Sequence, residues 1–235
     1  MDKKNNLFVP YVVEHTAEGM RSSDIFSKLL EDRIILLNGE VNQDSCNLVM
    51  AQLLYLNNAD KEKPIYLYIS SEGGSVISGL GQVIDVMNFI KAPVYTIATG
   101  MAASMGAAIL SSGEKGHRYC LPSSQILVHP QSGGTSGRTN DNVIAMHYEK
   151  RLQDYLLNII GHNCGQISDA SYKEIRSAVE KLRDIDENPV LEISKKAKAE
   201  FDKFKKTCNY DHWMFPEEAL GYGIVDKILV KEDEL

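Results

Sequence analysis

Short apolar runs alternate with amphipathic stretches over the first half of the chain. Runs rich in β-branched and aromatic residues predict strands, and these lie at 34–39, 64–69, 94–98, 118–121 and 125–129. Apolar residues three and four positions apart predict helices, and these cover 45–55, 77–90 and 102–111. Because strands that alternate with helices join through right-handed crossovers, the pattern favours a layered α/β domain with a largely parallel sheet.

Ser104 lies in a run of very small residues at the junction of a predicted strand and a predicted helix. The run extends from Gly100 to Gly106 and follows the strand at 94–98. Small neighbours let a peptide backbone approach one hydroxyl, and a helix start directs backbone N–H groups at an anion, as acyl transfer requires. Close helix packing would also favour small residues, so this segment leaves both interpretations open.

Gly73 and Gly74 form a second candidate element, in a predicted turn at 70–75. Consecutive glycines present backbone N–H groups with no Cβ in the way. The carboxyl ends of parallel strands share one edge of a sheet, so this turn would lie beside the Ser104 segment. Gly74 and Met105 could then direct two amides at one oxyanion. A plain tight turn before a helix is the alternative.

His129 is the candidate general base. It ends an apolar strand and precedes Pro130, beside a loop that cannot continue as ordinary helix. The other five histidines do not end a core strand in this way.

Asp211 is the candidate carboxylate that would orient the base. It precedes the aromatic and apolar residues 212–215, so we expect it to be partly buried and to need a partner. Spacing alone does not select it from 32 acidic residues, and an N-cap for a short helix near Pro216 is the alternative role.

The composition of the chain argues against several classes of protein, including nucleic-acid-binding and membrane-spanning ones. A chain of 235 residues fits one large domain, and its net charge of −7 argues against a nucleic-acid surface. The four cysteines form no CxxC pair, which predicts reduced thiols in a cytosol-like compartment and gives no support to a zinc site. The amino-terminal residues lack the apolar core of a signal peptide, and apolar runs are too short to span a membrane. We therefore expect a soluble, cytoplasmic protein without membrane contact.

A set of longer motifs occurs in order along the chain, at 8–16, 21–30, 65–69, 72–75, 87–91, 100–107, 116–122 and 217–226. In content and order they resemble the proteolytic subunit of the Clp protease, the ClpP family. The resemblance runs from about residue 8 to 230 with one internal gap. It implies the ClpP/crotonase-like α/β fold, built of repeated β-β-α units with a protruding helical handle.

The resemblance also implies a serine endopeptidase with a Ser-His-Asp triad. Ser104 matches the family's nucleophile, His129 its base and Asp211 its orienting acid. Gly74 and Met105 match the two oxyanion-hole amides. No metal or cofactor is implied for the subunit, since ATP is used by its partner.

Assembly and partners follow from the same resemblance. Family members stack two seven-membered rings around a closed chamber, and an AAA+ unfoldase such as ClpX or ClpA/ClpC feeds them unfolded polypeptide. Tyr66, Tyr68 and Phe89 match aromatic positions of the unfoldase docking pocket, although core packing is the alternative role of each. Residues 1–20 would be an N-terminal axial segment and 21–235 one peptidase domain, with a handle at about 132–160.

Several positions depart from the family pattern. Glu72 stands where the family usually has proline, and Pro130 follows His129 directly where glutamine is usual. Tyr210 replaces an arginine that pairs between rings. The stretch from Gly74 to Ser104 is one residue longer than usual, so its helix must absorb a bulge or a longer turn before it.

The largest departure is an inserted helical segment at about 165–200, roughly thirty residues and too long for an ordinary connection. Its apolar residues have helical spacing, and Asn188-Pro189 divides it, which predicts a helical hairpin. Our hypothesis is that it elaborates the contact between rings or caps a side pore.

Two other functions stay open at the level of sequence. A catalytically impaired ring subunit would have a structural role beside an active paralogue. The intact set of candidate residues argues against it, and the altered flanks of those residues leave it open. A crotonase-type acyl-CoA hydratase or isomerase would share the fold and the glycine-rich oxyanion turns, but would not need Ser104, His129 and Asp211 together.

Overall fold

The computed structural model describes residues 9–16, 19–182 and 191–235. Its strands are β1 (Tyr11–Thr16), β2 (Gly19–Asp24), β3 (Ile34–Val41), β4 (Ile65–Gly74), β5 (Val94–Ala103), β6 (Arg118–Cys120), β7 (Gln125–Val128), β8 (His212–Met214) and β9 (Lys227–Ile228).

The helices share the apolar periodicity expected of elements that pack on a sheet. They are α1 (Ile25–Glu31), α2 (Gln43–Ala59), α3 (Val76–Ser78), α4 (Asp85–Phe89), α5 (Met105–Ser111), α6 (Thr139–Asn163), α7 (Asp169–Lys181), α8 (Lys195–Thr207) and α9 (Pro216–Tyr222). A π-helical segment, Gly79–Ile84, joins α3 to α4. In the described part of the chain, no helix combines the length and the apolar character that crossing a membrane requires.

Seven of the described strands form one sheet, with the order β3-β4-β5-β6-β9 and all neighbours parallel. Strand β7 also pairs in parallel with β5, beyond the end of β6, and β8 pairs antiparallel with β7. The strands β1 and β2 form a separate antiparallel pair. The predicted α/β class with a largely parallel sheet is therefore confirmed.

Two strands are longer than their sequence predicted. Residues 70–75 were expected to turn away, but β4 continues to Gly74 because β3 stays paired with it as far as Val41. Strand β5 continues to Ala103 beside β7, so α5 begins at Met105 and not near residue 102. In both cases pairing with a neighbouring strand extends an element beyond its apolar run.

The helix after the glycine turn contains a bulge of the kind expected from the extra residue between Gly74 and Ser104. A π-helical turn accommodates one additional residue per turn, and it occupies Gly79–Ile84. Gly79 lies against Met105, since a Cβ on this glycine would come within 2.4 Å of Met105 Cγ. The bulge thus packs directly behind the start of α5.

Helices α7 and α8 occupy the inserted segment and pack against α6. Ile175 of α7 and Phe204 of α8 are fully buried, and Lys205 Nζ lies 2.6 Å from Asp154 Oδ1 of α6. These helices therefore enlarge the core of the domain. The predicted break at Asn188-Pro189 lies outside the described residues, as do residues 1–8 of the predicted axial segment.

Candidate active site

Ser104 occupies a strained elbow between β5 and α5. Its φ of 55° and ψ of −121° are normally adopted by glycine, and a non-glycine residue there costs about 1–3 kcal/mol. Its backbone N–H donates to the Leu127 carbonyl over 2.9 Å, which ties the elbow to β7. Its hydroxyl does not cap α5 and has no hydrogen-bond partner among the described residues. The elbow thus presents an uncommitted hydroxyl at the end of the sheet.

The glycine pair at the end of β4 fits closely against this elbow. Gly73 has a φ of 99°, and a Cβ placed on it would lie 2.5 Å from Ser104 Cβ and 3.0 Å from the Met105 nitrogen. No side chain fits between them. Gly73 is therefore required by a close backbone approach as well as by its conformation.

Gly74 and Met105, the predicted oxyanion-hole residues, lie at the end of β4 and at the start of α5. Gly74 lines the same cleft as Ser104. Met105 is the first residue of α5, and the first amides of a helix have no carbonyl partner within it. Met105 is fully buried and does not itself line the cleft, but its amide nitrogen lies 3.0 Å from the Cβ position of Gly73.

His129 lies beside Ser104 because β7 pairs with β5. Ala103 is opposite Leu127 in that pairing, so the residues that follow each strand emerge together. The structure places His129, half-buried, in the lining of the same cleft as Ser104. Within the described residues no hydrogen bond joins the two side chains, and catalytic hydrogen bonds are often long when no substrate is bound.

Asp211 is placed by the antiparallel pair β7–β8. Val128 is opposite His212, so one further step of this register sets Asp211 opposite His129. The expectation that Asp211 is partly buried was wrong, because it is exposed and has no partner among the described residues. Its alternative role as a helix cap is also excluded, since Phe215 holds the N-cap position of α9.

The cleft that contains Ser104, Gly74 and His129 has a volume of about 550 Å³. Its far wall is α6, which the sequence did not assign to the site. Tyr148, Leu152 and Leu156 line this wall. Their four-residue spacing puts them on one helix face, but this spacing does not show which cleft the face borders.

The predicted docking aromatics separate into two places. Tyr66 and Tyr68 lie half-buried on the sheet face away from the main core, where they pack with Tyr95 and Tyr119. The rings of Tyr66 and Tyr95 meet edge to face, with centroids 5.6 Å apart, and burial raises the pKa of Tyr68. Phe89 is 82% exposed and is not part of this cluster.

A comparison with protein-family models completes this description. The model described as Clp protease matches residues 17–171 and 167–232 of this chain. The chain belongs to the Clp protease family. The resemblance drawn from the ordered motifs is confirmed, as is the ClpP/crotonase-like fold, and the protein is a peptidase of the ClpP type.

Proposed function

We propose that this chain is the proteolytic subunit of an ATP-dependent Clp protease, a serine endopeptidase that cleaves unfolded polypeptides. The observation that carries the proposal is the strained elbow, which presents the Ser104 hydroxyl in one cleft with His129 and Gly74. Strain of this kind persists where the surrounding structure enforces it, and it is concentrated at active sites.

The chemistry proposed for this geometry is acyl transfer. Ser104 Oγ attacks the scissile carbonyl while His129 takes its proton, and His129 then gives that proton to the leaving amine. The amides of Gly74 and Met105 hold the negative oxygen of the tetrahedral intermediate. Water, deprotonated by His129, hydrolyses the acyl-enzyme and frees Ser104.

A fluorophosphonate probe tests the nucleophile directly, with intact-mass spectrometry as the readout. We expect one adduct on the native protein, on Ser104, and none on the Ser104→Ala variant. Ser132→Ala is the matched control, because Ser132 lines the same cleft and should leave labelling intact. A native protein that forms normal rings but takes no label would instead support the structural subunit, and binding of coenzyme A would support the hydratase.

Asp211 is proposed as the residue that orients His129 and stabilises its charged form. The supporting observation is its position opposite His129 in the extended β7–β8 register. We expect Asp211→Asn to lower peptidase activity at least about 100-fold. Asp202→Asn, a change at an exposed carboxylate on α8, should have no such effect. Equal activity of native protein and Asp211→Asn would remove Asp211 from the proposed triad.

Partners and assembly are proposed from family membership. The chain would stack as two seven-membered rings and receive substrate from an AAA+ unfoldase, ClpX or ClpA/ClpC, which supplies the ATP hydrolysis. Tyr66, Tyr68 and Phe89 would contact the unfoldase. Tyr68→Ala should then slow unfoldase-driven degradation of a folded substrate while short-peptide hydrolysis continues, and an equal loss of both would argue for a packing role.

The inserted segment at about 165–200 is proposed to contribute to the contact between rings. Its deletion would remove buried Ile175 and Val179 from the core and would not test this role. The part of α8 inside this segment is basic on its solvent face, with exposed lysines at Lys196 and Lys198. Reversing both charges to Glu should weaken ring stacking in sedimentation, whereas the same change at exposed Lys61 should not. Unchanged stacking would refute the role.

A further inference from the structure

Glu72 lies near the end of β4, directly before the glycine that packs against Ser104. It precedes Gly73, whose Cβ position is 2.5 Å from Ser104 Cβ, and successive Cα atoms are only about 3.8 Å apart. Its side chain is exposed and lines the Ser104 cleft. Glu72 also lines the neighbouring cavity, so its residue lies where that cavity and the Ser104 cleft adjoin.

The carboxylate of Glu72 has no cationic partner in the part of the chain that the structure describes. Glu72 makes no ion pair or hydrogen bond with another described residue. Glu149 of α6 lines the opposite wall of the cleft and likewise has no cationic partner among the described residues. The described lining contains neither lysine nor arginine, so the cleft carries an uncompensated negative charge.

A third acceptor lies on the loop after His129. The side-chain oxygen of Gln131 is buried and has no donor among the described residues, and Gln131 lines the cleft. An unpaired buried acceptor is costly, so a ligand that brings N–H donors would gain by meeting it. This observation is independent of the two carboxylates and favours the same kind of ligand.

Apolar side chains form much of the remaining lining, with Val76 and Ile77 after the end of β4 and Leu152 and Leu156 on α6. Ser75, Ser132 and Gln153 add polar groups to it. Apolar walls that carry acceptors suit a side chain with an aliphatic stem and a cationic head, because lysine and arginine bury their methylene groups while the charge stays at a polar rim. A carboxylate on the substrate would meet like charge.

We propose that this cleft selects peptides with a lysine or arginine within two residues of the scissile bond, and that Glu72 is the main determinant of this specificity. The inference rests on the proposed peptidase function and names its substrate class. Glu149 and Gln131 contribute the further acceptors. The ion pair between Glu72 and the basic side chain of the substrate would form in a partly solvated cleft. We therefore expect kcat/KM to be about fivefold to tenfold higher for a basic peptide than for its uncharged counterpart.

Matched fluorogenic peptides test this proposal. Each pair differs only in arginine or its uncharged isostere citrulline, placed in turn at the two positions on either side of the scissile bond. Native protein should cleave the best arginine peptide about fivefold to tenfold faster than its citrulline partner, with a ratio that falls as salt screens the charges. Glu72→Gln should bring the ratio to within about twofold, and Glu72→Lys should invert it in favour of peptides with glutamate.

Glu40→Gln is the matched control. Glu40 lines the neighbouring cavity, as Glu72 does, but unlike Glu72 it does not line the Ser104 cleft. This variant should keep the native ratio, and thermal unfolding would show that every variant is folded. If arginine and citrulline peptides are hydrolysed at equal rates, the proposed preference for basic residues is wrong, while the peptidase proposal is unaffected. If the protein neither hydrolyses the peptides nor takes the fluorophosphonate label, both the peptidase proposal and the specificity proposal are wrong.

Discussion

Two polar regions at opposite edges of the sheet are built in contrasting ways. At the carboxyl edge, Ser104 is strained and its hydroxyl is unpaired among the described residues. At the amino end of β6, Arg118 donates to both carboxylate oxygens of Asp226 over 2.5 and 2.7 Å, and to the Asn163 carbonyl over 2.8 Å. The same carboxylate accepts from the Gly116 amide over 2.9 Å.

The Arg118–Asp226 pair has its polar groups bonded within the fold, whereas the Ser104 hydroxyl is left able to react. Arg118 is almost fully buried, and a buried charge is tolerated only when it is paired and hydrogen-bonded. It connects β6, α6 and the segment before β9 through its bonds. The Ser104 side chain makes no comparable bond, and the residue is held by its amide on the Leu127 carbonyl and by the close approach of Gly73. We expect substitutions in the first region to act on stability and those in the second to act on activity.

The largest expected effect on stability comes from breaking the ion pair. Asp226→Ala would leave the Arg118 charge buried without its partner, at a cost of about 3 kcal/mol in the free energy of unfolding. Urea titration measures this loss. Asp141→Ala is the control, because Asp141 pairs with Arg138 in an exposed bridge and should change stability by less than about 0.5 kcal/mol. If the two substitutions lowered the free energy of unfolding equally, the Arg118–Asp226 pair would have no special role in stability.

A second, smaller loss is expected from Gly73→Ala, which places a Cβ 2.5 Å from Ser104 Cβ and 2.8 Å from the Ala103 carbonyl oxygen. The backbone must shift, which should cost about 1–3 kcal/mol and abolish fluorophosphonate labelling. Gly221→Ala in α9 is the control, since nothing lies within 4 Å of its Cβ position. That variant should gain about 0.5–1 kcal/mol. Full labelling of Gly73→Ala would show that the close approach is not needed.

The strain at Ser104 predicts an effect of opposite sign. Glycine has no Cβ and therefore adopts the φ of 55° found there without strain. Alanine has a Cβ and keeps the strain. Both variants lose the hydroxyl, so their difference isolates the backbone. Ser104→Gly should be more stable than Ser104→Ala by about 1 kcal/mol in urea titration. A glycine variant that is the less stable of the two would contradict the strained elbow.

The smallest expected effect is the contribution of Asp226 to the pH dependence of stability. Burial of Asp226 would raise the pKa of its carboxyl, but hydrogen bonds and charge from Arg118 outweigh burial and hold this pKa below its ordinary value of 3.8. The folded state therefore binds fewer protons than the unfolded state. The stabilisation is present above the ordinary pKa and is lost as the pH falls through the folded pKa.

Urea midpoints measured between about pH 5 and about pH 3 follow this loss. Asp226→Asn carries no titrating carboxyl at this position, so its midpoint should change less over the same interval than that of the native protein. Parallel curves for the two proteins would show that Asp226 does not couple protonation to folding.

The residues around Ser104 show how much of the site was accessible from the chain alone. Small residues after an apolar run, a double glycine after another and a histidine at the end of a third correctly indicated one edge of a parallel sheet. The burial expected for Asp211 was wrong, because the aromatic residues beside it do not cover it. The wall formed by α6 was missed, since a helix face shows that it is apolar but not which cleft it borders.

The sequence by itself determined the order of strands and helices, the candidate nucleophile and the glycines beside it, because these depend on local periodicity and side-chain size. Only the tertiary structure decided that Ser104 is strained, that His129 stands beside it and that Glu72 faces the same cleft. Each of these depends on hydrogen bonds or close contacts between segments distant in the chain, such as the Ser104 amide on the Leu127 carbonyl. Local patterns carry no information on such pairings, since each strand is compatible with several neighbours until the whole sheet is assembled.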